Sequence, residues 1–269
     1  MSKNVLLGIT GGIAAYKMAS VASTLVKKGY DVNVVMTESA TEFIKPLTFQ
    51  SLTHNPVEVD LFTPPVHYDK HISLVDKADL MLIAPATANF IGKVAGGIAD
   101  DLLSTLIMAA DFPVLIAPAM NVKMYNNAIV EDNINYLKSK GYYIIEPDTG
   151  YLACGDRGKG RLPAPDILVE QVEKAFMGKD YADKKILVTA GPTREPLDPV
   201  RYLSNYSSGK MGYALAKAAS YRGAEVVLVA GPGSLKTPMG VKKIAVNNAR
   251  EMDAEVKKYA DNQDIIIMA

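Results

Sequence analysis

NVLLGITGGIAAYK, residues 4–17, decides the fold. A short aliphatic run, residues 5–9, enters a glycine turn and leaves it as a segment of helical period that runs to residue 27. A strand that is apolar at every position buries both faces, and a helix that follows it directly is half of a parallel crossover. Three more short apolar runs, residues 32–36 (broken only by Asn33), 80–84 and 114–117, alternate with helical segments at 90–96 and 126–138. Short, wholly apolar strands separated by helices build a parallel sheet covered on both sides. The first half is therefore expected to be an α/β, three-layer, doubly wound domain. Its ligand belongs at the carboxyl ends of the strands.

The rest of the chain repeats that opening. At FMGKDYADKK, residues 176–185, the apolar pattern lapses into charges and a glycine, and a fresh strand begins at residue 186. The boundary is placed there, giving domains of residues 1–178 and 179–269. KILVTAGPT echoes NVLLGITGG, and Arg222-Gly223 precedes a second strand as Lys28-Gly29 does earlier. A shared βαβ architecture explains this similarity. Only three strands are expected here, residues 186–189, 225–230 and 264–268, few for a doubly wound sheet. Of the basic residues after Lys210, with Arg222, Lys236, Lys242, Lys243, Arg250, Lys257 and Lys258 among them, most are expected on helices or turns. The second half thus reads as an incomplete Rossmann-like α/β domain.

Composition narrows the function. The chain has 269 residues, 49% of them hydrophobic, enough for two cores at a guide value of ~150 residues per domain. Lys+Arg and Asp+Glu both number 29, so the basic surface that nucleic acid requires is not expected. The single cysteine, Cys154, fits a reducing compartment. The opening apolar run is too short for a signal peptide, and no run reaches the ~18 apolar residues of a membrane span. A soluble cytoplasmic protein without membrane or nucleic-acid partners is expected.

Several segments carry residues suited to chemistry. In GITGGIAAYK, Gly11 and Gly12 let the backbone approach an anion, and the N–H groups around Ile13 open toward it. The spacing is not G-x-G-x-x-G and suits a mononucleotide phosphate, although packing alone also explains such a turn. Glu38 follows the second strand and is easily mistaken for a ribose-binding acid, whereas Thr37 and Ser39 around it read at least as much as helix caps that also suit a phosphate. In APATANF, small residues let a flat ring approach, while Thr87 and Asn89 offer hydrogen bonds beside Ala88 and Phe90. An N-capped helix is the alternative there. Asn121 of PAMN is either a helix cap or an amide that holds a carboxylate or carbonyl. His71 is either incidental, like His54 and His67, or a base near neutrality at the carboxyl-end loops. Cys154, in ACGDRGKGR, is either a small hydrophobe or a partly ionisable thiol on a mobile basic loop.

Together GITGGIAAYK, the HIxL histidine, APATANFIGK, PAMNxxM, ACGxxGxGR and TAGPTREPLDPVRYLSNYSSGKMG (residues 189–212) resemble a bacterial family of coenzyme A biosynthesis. Its members join phosphopantothenoylcysteine decarboxylase to phosphopantothenate–cysteine ligase. The resemblance spans the chain, and the first half is similar to the homo-oligomeric flavin-containing cysteine decarboxylases. It implies a flavodoxin-like or Rossmann-like domain in which FMN meets Gly11, Gly12, Ile13, Thr37, Glu38, Ser39, Thr87, Ala88, Asn89, Phe90 and Ala119. His71 then takes the base position, Asn121 the substrate-carboxylate position, and Cys154 the proton-donor position on a substrate-covering flap. Met120 and Met124 would shape the pocket, with Lys159 and Arg161 facing the substrate's phosphate or carboxylate. In the family, two-electron oxidation of the cysteine moiety creates an electron sink for the departing carbon dioxide.

In the second half, Asn205 matches the family's residue for the acyl-cytidylate, and residues 207–210 precede a helix as a phosphate cradle. Met268 and Ala269 match the start of the CTP contacts, with Mg2+ accompanying the nucleotide. No metal is expected in the decarboxylase half. The lysine-rich cytidine segment that would follow is missing, so a truncated ligase without activity of its own is expected. A trimer-based homo-oligomer, up to a dodecamer, is implied by the resemblance. A decarboxylase of peptide C-terminal cysteine is one rival, opposed by the GPTREP half. A non-catalytic flavin-binding regulatory subunit is another, opposed by His71, Asn121 and Cys154 occurring together.

Overall fold

Val5, Leu6, Leu7 and Ile9 are all buried, so the first strand is covered on both of its faces. In the computed structural model, which describes residues 3–61, 70–151 and 155–269, this strand sits inside a six-stranded parallel sheet. The strands are β1 (Asn4–Ile9), β2 (Asp31–Met36), β3 (Val57–Glu58), β4 (Leu80–Ala86), β5 (Val114–Pro118) and β6 (Tyr143–Ile144), ordered β3-β2-β1-β4-β5-β6. On one face Leu6, Val35, Met81, Ile83 and Ile116 share a core with the helices Ala88–Ala95, Leu102–Ala109 and Ala128–Ser139. The helices Lys17–Lys27, Pro46–Thr53 and Pro165–Ala175 pack on one another and bury Met18, Val21, Leu25, Phe49, Leu168 and Val172. The doubly wound expectation is met. The sheet order reverses between β1 and β4, the place where such folds open a crevice.

The basic run after Cys154 is not a loop. Arg157–Arg161 forms strand β8, antiparallel to β7 (Asp148–Tyr151). Glycines that read as flexibility are there for close approach. At Gly160 φ is +144°, and a Cβ would stand 2.4 Å from the carbonyl oxygen of Met120. That carbonyl's own residue donates its N–H to Gly160 O at 3.0 Å, so the hairpin lies directly against the segment after β5.

By their contacts the residues divide into two compact units, Met1–Ala175 and Phe176–Ala269. The second contains β9 (Lys185–Ala190), β10 (Glu195–Pro196), β11 (Tyr202–Leu203), β12 (Glu225–Ala230), β13 (Val241–Ala245) and β14 (Ile265–Ile267). Its parallel sheet runs β13-β12-β9-β14, while β10 and β11 form a small antiparallel pair. The helix Lys210–Tyr221 covers one face through Tyr213, Ala216 and Ala219; Ala249–Ala260 covers the other through Met252, Val256 and Tyr259. The expectation of three strands is corrected to four. VKKIA lacks an unbroken apolar run because β13 is an edge strand. Alternation along it sends the two lysines to opposite helices, Lys242 over the Tyr259 ring at 5.0 Å and Lys243 over Tyr213 at 5.6 Å. They are exceptions to the expectation that most of these basic residues lie on helices or turns. Among the described residues, no helix is long and apolar enough to cross a membrane.

Candidate active site

A cavity of ≈ 1140 Å³ opens at the carboxyl ends of β1, β2, β4 and β5. It is roomy for one small molecule, since ligand pockets typically span about 300–1,000 Å³. Gly11, Gly12, Ile13, Thr37, Glu38, Ser39, Thr87, Ala88, Asn89, Phe90, Ala119, Met120, Asn121, Met124 and Arg161 all border it. Residues from four strand ends and the hairpin therefore converge on one space.

Thr10, which sequence reasoning missed, ties the floor together. Its hydroxyl donates to Pro85 O at 2.7 Å and accepts from the Thr87 N–H at 3.0 Å, joining the ends of β1 and β4. The signal was a hydroxyl one residue past an otherwise apolar strand. Gly11 passes so close to Ser39 that a Cβ would stand 2.5 Å from the serine Cβ. The glycine turn and the segment after β2 thereby form one continuous rim. Thr87 caps the helix Ala88–Ala95, accepting from the Phe90 N–H at 3.4 Å. The capping reading and the pocket reading both hold for this residue.

Thr37 differs. It precedes the short helix Glu38–Thr41 without a side-chain cap bond, and its hydroxyl oxygen is buried with no hydrogen-bond partner. An unsatisfied buried hydroxyl costs about 1–3 kcal/mol. Thr37 borders the cavity, so a polar group bound there would relieve that cost. The orphaned hydroxyl, the glycine rim and the small, largely apolar wall fit a flavin mononucleotide.

Asn121 caps the helix Val122–Tyr125: its Oδ1 accepts from the Lys123 N–H at 2.8 Å. Its Nδ2 donates to Asp156 Oδ2 at 3.0 Å. Lys159 does not border the cavity. Its ammonium lies 2.7 Å from Glu146 and over the Tyr125 ring at 5.4 Å. Glu146 also binds Lys138 at 2.8 Å, and these two lysine hydrogen bonds hold its carboxyl down to about 2. Arg161 does face the cavity, with Lys17 beside it. Burial first, then the charge of Arg161, pushes the Lys17 ammonium below its ordinary value, against the opposing pull of Asp148. The Lys17 Nζ donates to Leu162 O at 2.9 Å. This pair gives one wall a positive potential suited to an anion. A third cation on the lining, Lys93, is neutralised by Asp100 at 2.7 Å and Asp101 at 2.9 Å. The sequence offered no pattern for Lys17, Lys93, Asp100 or Asp101 beyond ordinary helix surface.

The backbone of His71 lies in the helix Lys70–Lys77, and its side chain is outside the described part. Cys154 also lies outside the described residues. Asn205, Met268 and Ala269 belong to the second unit. Asn205 Oδ1 accepts from the Ser207 N–H at 2.8 Å, two residues before Gly209, where φ is +72° ahead of the helix Lys210–Tyr221. The Ala269 N–H donates to Thr189 Oγ1 at 3.0 Å, and the Met268 side chain is exposed.

Residues 1–177 match the flavoprotein family, and residues 181–269 match the C-terminal domain of the DNA/pantothenate metabolism flavoproteins. The coenzyme A biosynthesis bifunctional protein CoaBC of Vibrio vulnificus (strain YJ016) is 50% identical over 98% of this chain and 66% of its own. That of Bacillus subtilis (strain 168) is 50% identical over 99% of this chain and 67% of its own. This chain thus spans about two thirds of the length of these curated relatives. Among solved structures, a PPC decarboxylase cysteine-to-serine mutant complexed with pantothenoylaminoethenethiol is 32% identical, with a TM-score of 0.57 over 64% of this chain and 97% of the other. The FMN binding protein AtHal3 gives 32% identity and a TM-score of 0.57 over 65% of this chain and 97% of its own.

Proposed function

The chain belongs to the CoaBC family of coenzyme A biosynthesis bifunctional proteins, and on that premise we propose that residues 1–178 form an FMN-dependent decarboxylase. Its substrate would be 4′-phosphopantothenoylcysteine and its product 4′-phosphopantetheine. The observation that carries this reading is one cavity bordered both by the orphaned Thr37 hydroxyl and glycine rim and by the Asn121 amide. The first pair suits a mononucleotide and the second a substrate carboxylate.

FMN, when bound, supplies the two-electron chemistry that an unactivated α-carboxylate needs before it can leave as carbon dioxide. The chain's own residues bind, orient and protonate. Gly11, Gly12, Ile13 and Ser39 would hold the phosphate end, with Thr37 and Glu38 beside it. Thr87, Ala88, Asn89, Phe90 and Ala119 would lie along the ring. Neutral Asn121 would hold the carboxylate without a salt bridge that resists its departure. Met120 and Met124 would shape the substrate space, and Arg161 would offer its charge to an anionic end of the substrate. His71 is assigned the base role, and the Cys154 thiol gives the final proton to carbon.

Residues 179–269 are assigned to a phosphopantothenate–cysteine ligase domain. Asn205 would handle the activated acyl group, and Met268 and Ala269 would take CTP, with Mg2+ on its phosphates. Location in the cytoplasm and a homo-oligomeric state complete the proposal.

The test offers the FMN-loaded chain 4′-phosphopantothenoylcysteine and, separately, a peptide ending in cysteine. Carbon dioxide release from the first alone is expected. Release from the peptide alone, or from neither, contradicts the assignment. Cys154→Ser should release carbon dioxide yet fail to complete 4′-phosphopantetheine, because a serine hydroxyl is a far weaker acid. His71→Asn should block flavin reduction and carbon dioxide release together. Native turnover in both variants would remove both roles.

A further inference from the structure

The amide of Asn121 is held from two sides. Its Oδ1 accepts from the Lys123 N–H at 2.8 Å, and its Nδ2 donates to Asp156 Oδ2 at 3.0 Å. A backbone N–H only donates and an ionised carboxylate only accepts. These partners therefore admit one orientation of the carboxamide, since a flip would oppose donor to donor and acceptor to acceptor. Lys123 belongs to the same short helix as the cap, whereas Asp156 is 35 residues from Asn121.

The contact is also one end of a seam. A Cβ on Gly160 would meet the Met120 carbonyl and one on Gly158 the Val122 side chain, so these positions and Asp156 face one segment even though the β7–β8 pairing shifts register here. Gly160 O also accepts the Met120 N–H at 3.0 Å. The three positions thus meet residues 120–122. Asp156 is the one that reaches a side chain instead of backbone or a methyl group.

The geometry points to Asp156 as a positioning residue for recognition of the substrate's carboxylate: by taking one hydrogen of Asn121 Nδ2 it fixes the direction in which the amide presents the other. This rests on Asn121 holding that carboxylate. The opposite role has the opposite sign. If Asp156 merely competed for Nδ2, its charge would repel the incoming carboxylate and its removal would tighten binding.

The experiment compares the full FMN-loaded chain with Asp156→Ala and Asp156→Asn. The ligands are 4′-phosphopantothenoylcysteine in turnover, 4′-phosphopantothenoylserine as an inert carboxylate ligand, and 4′-phosphopantetheine as a ligand without the carboxylate. Binding is read from the flavin absorbance. Asp156→Ala should raise KM for the substrate and Kd for the serine analogue about ten- to a hundredfold, the range for a hydrogen bond to a charged group. FMN content and the affinity for 4′-phosphopantetheine should stay near native. Asp156→Asn should recover most of the loss, because its amide oxygen accepts the same bond.

Unchanged or tighter binding of the serine analogue in Asp156→Ala overturns the inference. So does an equal loss for 4′-phosphopantetheine or for FMN, which marks a role in folding alone. A wild-type chain that neither decarboxylates the cysteine compound nor binds its serine analogue overturns the functional reading, and this inference with it.

Discussion

Thr37 shows how a single side chain separates a structural role from a binding role. As a helix cap its hydroxyl would meet a backbone N–H; instead it is buried, unpaired and on the cavity wall. Thr37→Val removes an unsatisfied polar atom. The FMN-free variant is therefore expected to unfold no lower in temperature than the native chain, and to gain up to about 1 kcal/mol. FMN retention should fall by roughly tenfold, the loss of one neutral hydrogen bond. Thermal melts without FMN and fluorescence titration with it check the two halves separately. Lower stability together with unchanged FMN affinity would show that the hydroxyl serves the fold. Sequence made Thr37, Ser39, Thr87 and Asn121 visible as polar residues at strand ends, but each also read as a cap. Only the third dimension separates Thr37, which caps nothing, from Thr87 and Asn121, which cap and border the cavity at once.

At the scale of elements, the hairpin of β7 and β8 is held from outside by the Glu146 carboxylate, which bridges Lys138 on a helix and Lys159 on β8. The carboxyl sits at about 2 in the fold against an ordinary 4.5, with the two lysine hydrogen bonds as the cause. A depressed carboxylate stabilises the folded state above the unfolded value and loses that contribution as pH falls through the folded value. The melting temperature is thus expected to drop between pH 4.5 and about 2, and Glu146→Gln should flatten that part of the profile. Because the pair is half exposed, the effect should shrink in high salt. An identical acid limb in Glu146→Gln would assign the pH dependence to other carboxylates.

The hairpin itself was hidden in the sequence. RGKGR has no apolar alternation, because Gly160 lets backbone meet backbone at Met120 and Gly158 makes room for the Val122 side chain. β13 was hidden for a different reason. An edge strand carries lysines whose ammonium groups lie over tyrosine rings, so its pattern matches a solvated surface. The interior strands β1, β2, β4 and β5 were legible because burial on both faces leaves them almost wholly apolar.

For the whole molecule, two parallel-sheet units and family matches over both halves agree with membership of the CoaBC family. The cavity in the first unit is where the claim can be broken. The most direct test uses 4′-phosphopantothenoylcysteine labelled with ¹³C at its free carboxyl, incubated with the FMN-loaded chain, with the label followed by mass spectrometry. One labelled carbon dioxide per substrate consumed, with an equal yield of unlabelled 4′-phosphopantetheine, is the expected result. Label that stays in the acid, while the flavin is bound and the chain is folded, would contradict the account.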